Sequence, residues 1–72
     1  MERQYEIFEV LPNGSTLRTS IVSGLEFALL TLRELARHTN NECFAEDAET
    51  RQVVSQLNVP RANSNASAKE LG

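Results

Sequence analysis

Leu11-Pro12-Asn13-Gly14-Ser15 is the most constraining stretch of the chain. Proline pre-sets the backbone for the second position of a type I turn, and asparagine suits the third. Glycine then takes the left-handed position of a three-residue hairpin loop with a bulge. The flanks agree, since Tyr5 to Val10 is rich in β-formers and Thr16 to Val22 is β-branched and polar. Leu11 is expected opposite Ser15, which pairs Val10 with Thr16, Phe8 with Arg18, Ile7 with Thr19 and Tyr5 with Ile21. Side chains alternate between faces, so Tyr5, Ile7, Leu17 and Ile21 form the expected core face. Glu6, Phe8, Val10, Arg18 and Ser20 form the other.

A change of period follows. Leu25, Ala28, Leu29, Leu32, Leu35 and Ala36 recur at helical spacing and cover an arc of ~120° at ~3.6 residues per turn. Ser23 and Glu26 fit a capping box, with Ser23 as N-cap and Glu26 reaching back. Arg37 and His38 fall in the last turn, where the helix dipole favours positive charge. Asparagine tolerates a left-handed C-cap, so Thr39-Asn40-Asn41 ends a helix over roughly 24–38.

Glu42-Cys43-Phe44-Ala45-Glu46 reads as a short strand. Beyond it two arrangements stand open. Asp47-Ala48-Glu49-Thr50 forms a hairpin loop leading into a strand at Arg51-Gln52-Val53-Val54, with Glu46 opposite Arg51 and Phe44 opposite Val53. Alternatively, Asp47 caps a second helix. The cross-strand pairs favour the hairpin. The expected fold is α+β: a small antiparallel sheet, in the order β-β-α-β-β, with one helix packed on one face. Residues 1–59 make one small domain. Residues 60–72 have one large apolar side chain, Leu71, too little to offset the entropy of ordering, and are expected to be a disordered tail.

Ten acidic residues against seven basic ones give a net charge of −3, and the basic residues are scattered. That pattern speaks against a nucleic-acid groove, which needs a clustered basic face. No run of ~18 apolar residues is present, so no membrane span is expected. The N-terminus lacks the basic-then-apolar pattern of a secretory signal. The single Cys43 cannot form an internal disulfide, and a reducing, cytoplasmic setting is expected.

Chemistry-bearing residues are few. Cys43 and His38 are the only nucleophile and base close enough in sequence to consider as a pair. A strand cysteine more often serves as a small buried hydrophobe, and a histidine in a last helical turn as a dipole cation. Glu42 and Glu46 beside Cys43 and His38 do not match a metal-ligand spacing. Gly24 near a helix start could admit an anion, but Glu26 in the first turn opposes one. The expectation is therefore no enzyme, no catalytic residue, no cofactor and no metal.

The informative residues are apolar ones in the wrong place. Phe27 and Leu30 lie three apart on the helix, outside its core arc and next to Glu26, Glu34 and Arg37. Phe8 and Val10 lie on the sheet face the helix cannot cover. Phe44 and Val53 join them, edged by Arg18 and Arg51. Contiguous exposed apolar surface usually marks an interaction site, so Phe8, Val10, Arg18, Phe27, Leu30, Phe44 and Val53 are the candidate interface. Two arrangements would remove part of it. Reversed parity in the last two strands would bury Phe44, and Leu57-Asn58-Val59 folding back would cover a patch.

Tyr5-Glu6-Ile7-Phe8-Glu9, Pro12-Asn13-Gly14-Ser15, Gly24-Leu25-Glu26 and Asn41-Glu42-Cys43-Phe44-Ala45 together resemble small uncharacterised bacterial proteins of this layout. The resemblance spans roughly residues 4–54 and rests on turns, caps and core positions. It implies a bacterial cytoplasmic protein with no catalytic residues to carry over. A looser likeness is to small antitoxin domains that open with a hairpin before a helix, although their extra strand before the helix is missing here. A core of this size contributes only ~3–5 kcal/mol net, and no disulfide or zinc cluster reinforces it. The expected function is a non-enzymatic protein-interaction module that self-associates as a homodimer. The alternative is a regulatory, antitoxin-like or sensor-like domain binding another protein or a small ligand.

Overall fold

The computed structural model describes residues 2–60. The expected tail therefore lies outside the described residues, apart from Pro60. Strands β1 (Gln4–Val10) and β2 (Thr16–Ser23) form the first hairpin, followed by helix α1 (Leu25–Arg37). A second hairpin is made by β3 (Cys43–Asp47) and β4 (Val53–Leu57). The α+β fold and the β-β-α-β-β order are as expected, and the alternative second helix is excluded. All neighbours are antiparallel, in the spatial order β2-β1-β3-β4. β2 and β3 thus run parallel to each other on either side of β1, and α1 crosses over β1 to join them.

The first turn forms as its residues dictate. The Gly14 N–H donates to the Leu11 carbonyl and the Leu11 N–H to Ser15, both at 2.8 Å. Gly14 takes the positive φ of 92° that only glycine adopts freely. Ser15 donates backbone and side-chain bonds to Asn13 Oδ1 at 3.0 and 2.7 Å.

The register then departs from expectation. Val10 pairs with Thr16 and Phe8 with Arg18, but Ile7 pairs with Ser20 and Tyr5 with Val22. The extra residue is Thr19, a β-bulge whose hydroxyl donates to the Ile7 carbonyl at 3.2 Å. An inserted residue reverses side-chain parity beyond it. Ser20 and Val22 turn toward α1, and Ile21 moves to the opposite face, across from Glu6. Leu17 keeps its expected side but is half exposed at the sheet edge.

The core lies between α1 and the two central strands: Tyr5, Ile7, Ala28, Leu32, Cys43 and Ala45, rimmed by Val22, Leu35, Ala36 and Leu57. Leu25, expected inside, is exposed at the helix start. The capping box does not form. Ser23 belongs to β2, where it pairs with Gln4, and Gly24 is the N-cap, with no side-chain cap bond. Gly24 makes the corner with φ 90° and donates its N–H to the Arg3 carbonyl at 2.8 Å. Its neighbour Glu26 is thereby left free of a capping role.

Behind the helix, Glu9 Oε2 accepts from Thr39 Oγ1 and Asn41 Nδ2, both at 2.8 Å, tying the α1–β3 loop to β1. The loop asparagines stay out of the left-handed region; that conformation falls instead to Arg51 (φ 67°) and Asn58 (φ 58°). β4 starts two residues later than expected. Glu46 pairs with Val53 and Phe44 with Gln56, with a second bulge between them. The Asp47–Arg51 turn closes with the Arg51 N–H donating to the Asp47 carbonyl at 2.8 Å.

Asp47 anchors that turn. Its Oδ1 accepts the N–H of Glu49 at 2.7 Å and of Thr50 at 3.1 Å, and Arg3 pairs with Oδ2 at 2.8 Å. The Thr50 N–H leads in holding this carboxyl below its ordinary value, burial opposes it, and Glu49 and Arg3 add to the lowering. A depressed folded value contributes stability above the unfolded value of ~3.9, lost as pH falls through the folded value. Asp47→Asn should therefore flatten the acid limb of a pH–stability profile. An acid limb as steep as that of the parent would exclude this role for Asp47.

Candidate functional site

The sheet face away from α1 is an extended surface that no described helix or strand covers. Its middle row is Arg18, Phe8, Phe44 and Gln56, read across β2, β1, β3 and β4. The next row is Ile21, Glu6, Glu46 and Val53, and Val10 lies on the far side of Phe8. Parity in β3 decides this. Cys43 and Ala45 are fully buried toward the helix, so Phe44 points the other way. Phe8 and Phe44 stack with ring centroids 5.1 Å apart and planes at 23°, an offset geometry favourable for aromatic pairs. Leu57 packs into the core from the helix side and Val59 stays exposed, so the 57–59 segment does not close over this face.

Beside the stack is a charged quartet. Glu6 is only 9% exposed, and a carboxylate this enclosed needs partners. Arg51 Nη1 lies 2.9 Å from Glu6 Oε1, and Arg18 Nη1 lies 3.5 Å from Oε2. Arg51 also reaches Glu46 Oε1 at 3.5 Å. The two guanidiniums balance the two carboxylates, leaving this part of the face neutral. The left-handed turn at Arg51 accompanies this fold-back of its side chain over the sheet.

Five of the seven candidate residues, Phe8, Val10, Arg18, Phe44 and Val53, thus share this face. The other two do not join it. Phe27 and Leu30 lie on α1, across the sheet, at 66% and 55% exposure. They form the rim of an apolar groove between α1 and β2 whose other walls include Thr19, Ser20 and Leu35. Sequence reasoning missed Ile21, 50% exposed, because nothing in the residue types around Thr19 announces a bulge. It also missed Glu6. An acidic residue alternating with apolar ones on a strand reads as solvated, and its partner Arg51 is 45 positions away.

The sequence's one nucleophile–base combination is not assembled. The Cys43 thiol is buried on the helix side and donates to the Asn41 carbonyl at 3.3 Å. Burial, then Glu9 and Glu42, pushes its pKa up, which disfavours the thiolate a nucleophile requires. His38 Nδ1 lies 2.9 Å from the Glu34 carbonyl at the helix end. Among the described residues, no three His, Cys, Asp or Glu side chains cluster to hold a metal ion. No helix among them is long and apolar enough to cross a membrane. No family model, curated protein or solved structure matches the chain.

Proposed function

We propose that this chain is a non-enzymatic protein-interaction module that forms a homodimer by packing two open sheet faces together. The observation supporting it is the half-buried Phe8–Phe44 stack on the face away from α1, flanked by half-buried Val10 and exposed Ile21 and Val53. Both edge strands contain a bulge, a device that discourages edge-to-edge pairing, so association is steered to the face. Four strands at ~4.8 Å spacing and about six residues at ~3.3 Å give a plane of roughly 400 Å². That is small beside the ~800 Å² per partner of a standard interface, so the dimer is a weak one that dissociates on dilution. The Glu6 quartet sits within this face as a net-neutral group. A buried polar group of this kind fixes register at some loss of affinity. A cytoplasmic setting suits the free thiol of Cys43.

Light scattering over a dilution series tests this reading. The weight-average mass should fall toward monomer on dilution, and Phe8→Glu, which sets a third carboxylate beside Glu6 and Glu46, should stay folded and need at least ~30-fold higher concentration to reach the mass of the parent. A folded Phe8→Glu variant with unchanged assembly excludes the sheet face. A strict monomer at all concentrations excludes self-association and turns the search to another protein or an apolar ligand.

A further inference from the structure

The outer surface of α1 has a form that the sheet-face dimer leaves unused. Glu26, Leu29, Leu30 and Arg33 surround a shallow depression. Their spacing of i, i+3, i+4 and i+7 is that of the four-residue hole that receives one side chain of a facing helix. Leu30 is 55% exposed and stands beside it, with Phe27 on the flank. Glu26 and Arg33 are exposed, and neither has an ion-pair partner among the described residues.

The pattern is its own complement. Acid, two leucines and base lie symmetrically about the midpoint between Leu29 and Leu30. An antiparallel second helix of the same sequence, centred on that point, sets Glu26 against the partner's Arg33 and Arg33 against the partner's Glu26. Leu29 and Leu30 then meet the partner's Leu30 and the partner's Leu29 across the axis. Residue i meeting j while j meets i is the mark of an isologous contact. A parallel arrangement would set like charges together.

We propose that the outer face of α1 is a second docking surface for another copy of this chain, packed antiparallel through Leu30 and the Glu26–Arg33 pairs. This contact does not depend on the sheet-face dimer, but what it builds does. Each two-fold axis lies in its own contact plane, one beyond the open sheet face and one beyond the helix. The two contacts lie on different sides of the fold, so together they link more than two copies. The helix contact is the weaker, because exposed ion pairs add little.

The test is the mass of the full chain by light scattering across a concentration series, with circular dichroism confirming the fold of each variant. The mass of the parent should rise past dimer. Glu26→Arg, which sets arginine against arginine twice, should shift that rise to at least about tenfold higher concentration. The double variant Glu26→Arg/Arg33→Glu should restore it, an outcome that a mere change in helix stability does not produce. Leu30→Glu, at an exposed position, should stop growth at the dimer. Phe8→Glu alone should leave a helix-linked dimer that adding Glu26→Arg dissolves, which separates this contact from the sheet-face reading. A parent mass plateauing at a dimer that Glu26→Arg and Leu30→Glu leave intact overturns the proposal, as does a charge swap that restores nothing.

Discussion

Ile7→Ala should unfold most of the protein at low concentration. Ile7 is fully buried at the centre of β1, paired with Ser20 on one side and Ala45 on the other, and belongs to the cluster that includes Ala28 and Leu32. Truncating a buried isoleucine typically costs about 2–5 kcal/mol, the lost transfer energy plus the cavity left behind. A core of this size contributes only ~3–5 kcal/mol net, so the single change removes most of the margin. Relaxation will not recover much of it. The neighbours Ala28, Ala45 and Cys43 are small, and the backbone under Ile7 is hydrogen-bonded to strands on both sides. Chemical denaturation followed by circular dichroism gives the number. The matched control is Leu25→Ala, at an exposed position outside both proposed contacts, where a shift within about 0.5 kcal/mol is expected. An Ile7→Ala midpoint as close to the parent as that control would mean the stabilising core lies elsewhere. The proposed self-association would stabilise the folded form by mass action, so under that reading the loss is largest in dilute solution.

The thinness of that core links fold to function. One helix can cover one face of a four-stranded sheet, and here it does so through Ala28 and Leu32 over Ile7, Cys43 and Ala45. The other face keeps Phe8 and Phe44, which have no apolar layer above them among the described residues. In the proposed homodimer a second copy supplies that layer, over the Phe8–Phe44 stack.

Local signals in the sequence located most of the fold. Pro12, Asn13 and Gly14 each have a conformational reason to be in the first turn, and the leucine and alanine spacing of α1 needs nothing beyond its own periodicity. What escaped depends on pairing between distant segments. Thr19 is an ordinary strand residue, and its bulge forms because the hairpin must satisfy both its turn and the burial of Val22. The bulge moved Ile21 onto the open face and Ser20 off it. Ser23 looks like a helix cap only until Gln4 recruits it into the sheet. The last hairpin slid because Arg51 takes the left-handed position, which residue type alone does not favour. Five interface candidates nevertheless share one face as expected. Phe8, Val10 and Arg18 lie between the turn and the bulge, where the inferred register holds. Phe44 follows from the parity of β3, and Val53 reached the face through a different partner, Glu46. The ion pairs of Glu6 were invisible, since they join three segments.

Asn58→Ala should be the most damaging substitution at an exposed side chain. Asn58 follows β4 and takes φ 58°, a left-handed conformation that asparagine tolerates and alanine resists by roughly 1–2 kcal/mol. Its Nδ2 reaches three carbonyls, Ala36 at 3.1 Å, Thr39 at 2.9 Å and Asn41 at 3.2 Å. These belong to the last turn of α1 and the loop beyond it, where helix carbonyls lack internal partners. One side chain from the end of β4 thus closes the helix terminus and holds the α1–β3 loop against the sheet. Losing those shared bonds adds about 1 kcal/mol, for a total of roughly 2–3 kcal/mol, again a large part of the margin. Asn58→Gly separates the two contributions, because glycine accepts the left-handed backbone and loses only the bonds. The expected order of stability is parent, then Asn58→Gly, then Asn58→Ala. Equal losses in the two variants would assign the whole effect to the hydrogen bonds, and an unchanged Asn58→Ala would show that the last turn of α1 is held by Leu35 and Ala36 packing alone.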